Sequence, residues 1–166
     1  MGWGSLEIAG RISTKGSDNA GPRLLNSSNP RPAGIGTFQE TSWGGIFLNA
    51  FVDTVSRGML LEASYAAELA VKPVTVYPQV GLGCRSSRYT NHLYGVSVAN
   101  AAAAALPAYV PGTSIVSMIG LSGELPISSR WVIVSHVQRE AFDRAINASP
   151  RVDRSSRISA LIALAY

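Results

Sequence analysis

The chain has 166 residues and a formal net charge of +4; it is 46% hydrophobic but only 14% charged, against roughly 25% charged in a typical soluble domain. No apolar stretch, the helix candidate Ala101 to Leu106 included, approaches the roughly 20 residues of a spanning helix. The single cysteine, Cys84, excludes an internal disulfide framework, and no basic run interleaves with aromatics as a nucleic-acid surface requires.

Residues 3–13 alternate, with Leu6, Ile8 and Ile12 set against Glu7, Ala9 and Arg11, and read as a first strand. Residues 14–33, rich in Gly, Ser, Asn and Pro, read as a long loop. Residues 35–42 form a weak strand, 43–45 a tight turn carrying Trp43, and 46–55 a strand on which Phe47 and Phe51 share a face with Asn49 and Asp53. After a turn at 56–58 comes the cleanest segment, 59–72. Leu61, Ala63, Tyr65, Ala67, Leu69 and Val71 line one face; Glu62, Ser64, Ala66, Glu68 and Lys72 line the other. A period of two sorts these charges, whereas a helix would scatter them. At this length the strand crosses a bilayer with room to spare, since roughly 9 to 11 tilted residues suffice.

Lys72-Pro73 makes a short turn, and 74–85 alternates as the next strand. Pro78 inside it removes a ladder donor and predicts a bulge or irregularity there. Residues 86–112 read as the second long loop, with a short helix over 98–106, Ser97 as its N-cap and Pro107 ending it. Strands follow at 113–125 and 130–142, joined by a turn at 126–129; 143–154 is a third long loop.

The chain closes on a strand. Ile158, Ala160, Ile162, Leu164 and Tyr166 fall on one face, and Arg157, Ser159, Leu161, Ala163 and Ala165 on the other. A continuously apolar face ending in an aromatic ring is how a bacterial outer-membrane barrel often stops. The fold class is therefore all-β: an antiparallel transmembrane β-barrel of about eight strands in this chain, in one domain over 1–166. Short turns alternate with long loops as such barrels require, 56–58 being the exception that should have been long. Residues 1–7 lack the cationic and apolar regions of a secretory signal, so export implies a mature or N-terminally truncated start.

Inward candidates are Glu62, Glu68, Lys72, Gln79, Arg85, Glu124 and Arg157, which line either a narrow pore or a salt-bridged plug. A small barrel fills its interior with side chains, so the plug is favoured. Interface aromatics are Trp3, Trp43, Trp131 and Tyr166; Tyr65 and Tyr77 are weaker, Tyr77 facing the lumen. Cys84 is an inert small hydrophobe. The arginines read as solvated, with anionic lipid headgroups as the sharper alternative. No metal or cofactor constellation exists: two distant histidines, one cysteine and a Gly81-Leu82-Gly83 too short for phosphate binding. Gly120-Leu121-Ser122-Gly123 is not a nucleophile elbow; Ser122 or Ser135 paired with His136 leaves a barrel hydrolase as a remote reading.

Tyr94-Gly95-Val96-Ser97, Ala101-Ala102, Leu106-Pro107-Ala108-Tyr109 and Pro111-Gly112, following Arg88-Tyr89, resemble the loop of the MipA/OmpV family of outer-membrane proteins. Leu125-Pro126-Ile127-Ser128-Ser129-Arg130-Trp131 resembles its turn. Ala148-Ser149-Pro150-Arg151-Val152 resembles a further loop, with Ala148 replacing an acidic residue. The aromatic-terminated last strand also agrees, with Tyr where Phe is commoner. The resemblance implies an outer-membrane barrel of which this is the C-terminal two-thirds. It also implies a scaffold that joins a murein lytic transglycosylase to a penicillin-binding protein. Outer-membrane lipid and lipopolysaccharide are the expected surroundings. It carries over no catalytic residue.

Overall fold

The computed structural model describes residues 4–10 and 30–166, with backbone only at 4 and 6–10. Trp3 and most of the 14–33 loop lie outside the described residues. The strands are β1 (Gly4–Gly10), β2 (Pro32–Thr41), β3 (Gly44–Asp53), β4 (Met59–Ala67), β5 (Leu69–Val71), β6 (Val74–Arg85), β7 (Ser114–Pro126), β8 (Val132–Ala141) and β9 (Ser156–Ala165). They form one antiparallel sheet in the order β1-β2-β3-β4-β6-β7-β8-β9, with β5 paired to β6. The sheet is barrel-like but open: β1 and β9 are its edges and do not pair with each other.

The long strand expected over 59–72 is two strands, and Pro78 is the reason. Ala66 pairs with Gln79 and Leu69 with Val76, a single register on both sides of a gap at Ala67 and Glu68. Pro78 stands opposite Ala67 in that register and has no N–H to give, so the ladder opens there without a bulge.

Three short connections lie at one end of the sheet: 42–43, the cis Lys72–Pro73 turn and 127–131. The connections 54–58, 86–113 and 142–155 lie at the other. The short 54–58 turn thus sits among the long loops, where its position in the alternation puts it. Asp53 holds it: its buried carboxylate accepts from the backbone N–H groups of Arg31 and Ser56.

The loops contain more helix than the sequence pattern indicated. Helix α1 (Ser87–Tyr94) was missed, although Ser86 caps it by accepting from Tyr89 N. Helix α2 (Val98–Ala104) has the expected Ser97 N-cap and ends earlier than 106, at Ala105 in the left-handed region (φ 52°). Helix α3 (Arg144–Asn147) is a single turn capped by Asp143, and was also missed.

The sheet has two unlike faces. The outward rows carry Ile35, Leu48, Leu61, Leu82, Ile115, Ile119, Val137, Ile158, Ile162 and Leu164, all exposed. Exposed Cys84 shares this face. A water-soluble monomer rarely exposes an apolar patch of such extent. A 10-residue strand such as β9, at ~3.4 Å per residue and a ~40° tilt, climbs roughly 26 Å, the height of a barrel's apolar band. The fully buried hydrophobics (Phe51, Leu60, Tyr89, Val96, Val116 and Ile146) all sit at the long-loop end. There α1 folds over the inner face, setting Tyr89 against Phe51 and Leu60 with Leu93 beside them.

Candidate functional site

The inner face is polar below that lid, and register explains which residues share it. Glu62 lies opposite Asn49 and Gly83, Gln79 opposite Ala66 and Gly120, and Glu124 opposite Thr75 and Val134. Arg85 stands opposite Leu60 and Ser114, and Arg157 opposite Glu140. The expected inward residues on strands therefore do share one face. Glu68 falls in the gap between β4 and β5 and Lys72 in the turn, both exposed, so neither belongs to the strand wall.

Two polar groupings form across strands. Nearer the loops, one oxygen of Glu140 accepts from Arg157 Nη2 (2.7 Å) and Arg85 Nη2 (3.5 Å), and Arg85 Nη1 donates to the Tyr94 hydroxyl (3.3 Å). The Arg85 and Glu140 side chains are only 9% and 10% exposed. Glu140 was not singled out from sequence; its period-two spacing from Gln138 and His136 is the signal that places it inward.

Nearer the short turns, Gln79 Nε2 donates to Ser122 Oγ (2.7 Å), and the same hydroxyl lies 2.8 Å from His136 Nδ1. Tyr77 donates to Glu124 beside them (3.4 Å). The Ser–His contact has the reach of a nucleophile and its base. However, Gln79 occupies the hydroxyl that would attack. The surrounding β6, β7 and β8 backbone is paired in the ladder, which leaves no N–H pair for an oxyanion. Among the described residues no group of three His, Cys, Asp or Glu is placed to hold a metal.

The loop residues singled out by resemblance come together as the lid. Ser149 Oγ donates to Tyr94 O (2.6 Å), Arg151 Nη1 to Gly95 O (3.3 Å), and Tyr109 OH to Ala145 O (3.0 Å). Val96 and Tyr109 form an antiparallel bridge. Leu106 N bonds back to Ala101 O, while Pro107 is exposed and Pro150 half-buried. Burial lowers the pKa of the Arg151 guanidinium from its ordinary value. Gly58 permits the fit, because a Cβ there would overlap the backbone of Tyr89.

The aromatics mark the opposite end. Trp43 and Trp131 sit in short connections and Tyr166 follows β9; the Trp131 and Tyr166 rings are 4.8 Å apart, and Arg130 donates to the Tyr166 hydroxyl. Tyr65 joins them, donating to Trp43 O (2.9 Å), and so stands near the short-turn end rather than mid-sheet. Tyr77 faces inward as expected.

An antiparallel sheet that is aliphatic outside and polar inside, with aromatics and short turns at one end, is the construction of a bacterial outer-membrane β-barrel protein. The comparisons agree. The family model described as MltA-interacting protein MipA matches residues 6–166, and the chain belongs to that family. It is 22% identical over 144 residues to a protein of Escherichia coli K12 named "Putative outer membrane protein YiaT", covering 86% of this chain and 58% of that protein. The counterpart in E. coli O157:H7 is 21% identical over 140 residues, covering 83% and 57%. The chain thus spans a little over half the length of these curated relatives. No solved structure matches.

Proposed function

We propose that this chain is the C-terminal part of a non-enzymatic outer-membrane barrel that serves as a scaffold for murein-active enzymes. The observation that carries the reading is the division of the sheet into two ends. One has short turns and aromatics; at the other α1 packs over the inner face, and the loops around α3 bond back to it. The short-turn end faces the periplasm and offers Trp43, Lys72-Pro73 and residues 127–131 to a partner. The long loops face outward, and lipid covers the aliphatic face. In the intact protein, further strands bridge the edges β1 and β9, since open edges are not viable in hydrocarbon. The family's description, an MltA-interacting protein, supports a murein lytic transglycosylase as the partner class.

Mild crosslinking in the envelope tests this. Recovery of a murein transglycosylase, lost when residues 127–131 are replaced by a Gly/Ser turn, is the expected result; its absence contradicts the scaffold. The pore reading rests on the polar inner face. Planar-bilayer step currents abolished by Glu62→Lys would support it against the scaffold.

A further inference from the structure

Among the described residues, exposed arginines gather at the long-loop end of the sheet. Arg57, Arg88, Arg139, Arg144 and Arg154 are all exposed at the long-loop end. None of the five forms an ion pair among the described residues. The carboxylates nearby are largely spent. Glu140 faces inward onto Arg85 and Arg157. Asp143 accepts from Ser114 Oγ, Ile115 N and Ile146 N. Asp53 accepts from backbone N–H groups in its own turn. Asp153 alone remains exposed in the β8–β9 connection.

Arg139 is the informative member. It lies on the aliphatic outer face, paired with Ile119 on one side and Ile158 on the other. Those two neighbours are 61% and 69% exposed. The next outward row toward the loops is Ser117, Ala141 and Ser156, where the aliphatic band gives out on β8 and β9, while β7 carries one more outward aliphatic, Ile115. A guanidinium in the last aliphatic row of β8 and β9 can keep its stem against acyl chains and raise its head to the headgroup level. Arg144 and Arg154 bracket the connection directly above it.

We propose that Arg139, Arg144 and Arg154 form a binding site for the phosphorylated headgroup of an outer-leaflet glycolipid, whose acyl chains lie on Ile119 and Ile158. The site rests on the reading that the sheet crosses the outer membrane with its long loops outward. Guanidinium groups suit this partner, because each can grip phosphate oxygens with two parallel N–H bonds.

The test uses the intact protein, with the strands that close the barrel, reconstituted in vesicles of phosphatidylcholine doped with bisphosphorylated lipid A or with the same lipid A stripped of phosphate. Co-purified lipid is counted by native mass spectrometry. The wild type retains the phosphorylated form at least about tenfold better, since basic residues near the surface favour an anionic headgroup. R139Q/R144Q/R154Q loses that preference, and R139K/R144K/R154K keeps most of it. Equal retention of both lipids by the wild type, or unchanged retention by the glutamine variant, overturns the site. Displacement by millimolar inorganic phosphate alone also overturns it, since the partner would then be a free anion. Quenching of tryptophan by brominated lipid in the same vesicles reports insertion. Quenching without lipid A discrimination sinks the site alone; no quenching sinks the membrane reading beneath it.

Discussion

At the scale of single residues, the inner face is a set of cross-strand bonds that one-dimensional reading resolves only by parity. Alternation placed Glu62, Gln79, Arg85, Glu124 and Arg157 on one side, because strand parity survives any register. It could not say that Glu140 would receive both Arg85 and Arg157, since that depends on how β8 pairs with β9. Glu140→Gln leaves the buried Arg85 without a charged partner. A loss of about 3 kcal/mol is expected from urea unfolding in vesicles, as for other broken buried pairs; a change under about 0.5 kcal/mol would mean the cluster is ornamental to folding. Ser122 was weighed as a nucleophile, and geometry does bring it to His136. With Gln79 donating to the same oxygen, its role here is a cross-strand lock. Ser122→Ala should therefore destabilise by about 1–2 kcal/mol through the partners it strands, with ester hydrolysis unchanged from background.

At the scale of elements, strands were more legible than loops. Period-two alternation is a strong signal over 10 residues, so β4, β6 and β9 stood out. Helix α1 is eight mostly polar residues with a Ser86 cap and only Tyr89 and Leu93, one turn apart, on its packed face, too short a pattern to stand out from a loop. Its place is decided by tertiary contact, Tyr89 against Phe51 and Leu60. Gly58→Ala pushes against the Tyr89 backbone and should lift α1 from the sheet. Limited trypsin digestion would then cut at Arg88 several-fold faster than in the wild type; equal rates would show that the lid does not depend on this fit. The two faces of β9 make opposite predictions. Ile162→Arg on the outer face is expected to cost about 2–4 kcal/mol, the price of a cation near the middle of the bilayer. Ser159→Arg on the inner face should fall within about 1 kcal/mol of wild type. Similar losses at both positions would mean that the faces are not solvated differently.

At the scale of the whole molecule, composition already pointed to the membrane. High apolar content, finely interleaved and without a helical span, is what results when every second strand residue meets lipid. What sequence alone could not show was the division of labour between the two ends. The lid is assembled from separate stretches of the chain, as where Ser149 bonds to Tyr94, and the girdle from the turns that carry Trp43 and Trp131. Resemblance named these loop residues from separate stretches of the chain, and only the packing shows Ser149, Arg151 and Tyr109 bonding across them.

The central claim is that one face of this sheet meets lipid and the other does not. A spin-label scan along β7 (Ser114–Pro126) tests it most directly, with Cys84→Ala removing the outward thiol and the intact protein reconstituted in vesicles. Labels at 115, 119 and 121 should collide freely with oxygen dissolved in the bilayer. Those at 116, 118, 122 and 124 should be shielded from it, a period of two in the phase set by the ladder. Collision with a water-soluble relaxant at 119 and 121 as strong as at the loop residues, or a pattern without period two, would contradict the account.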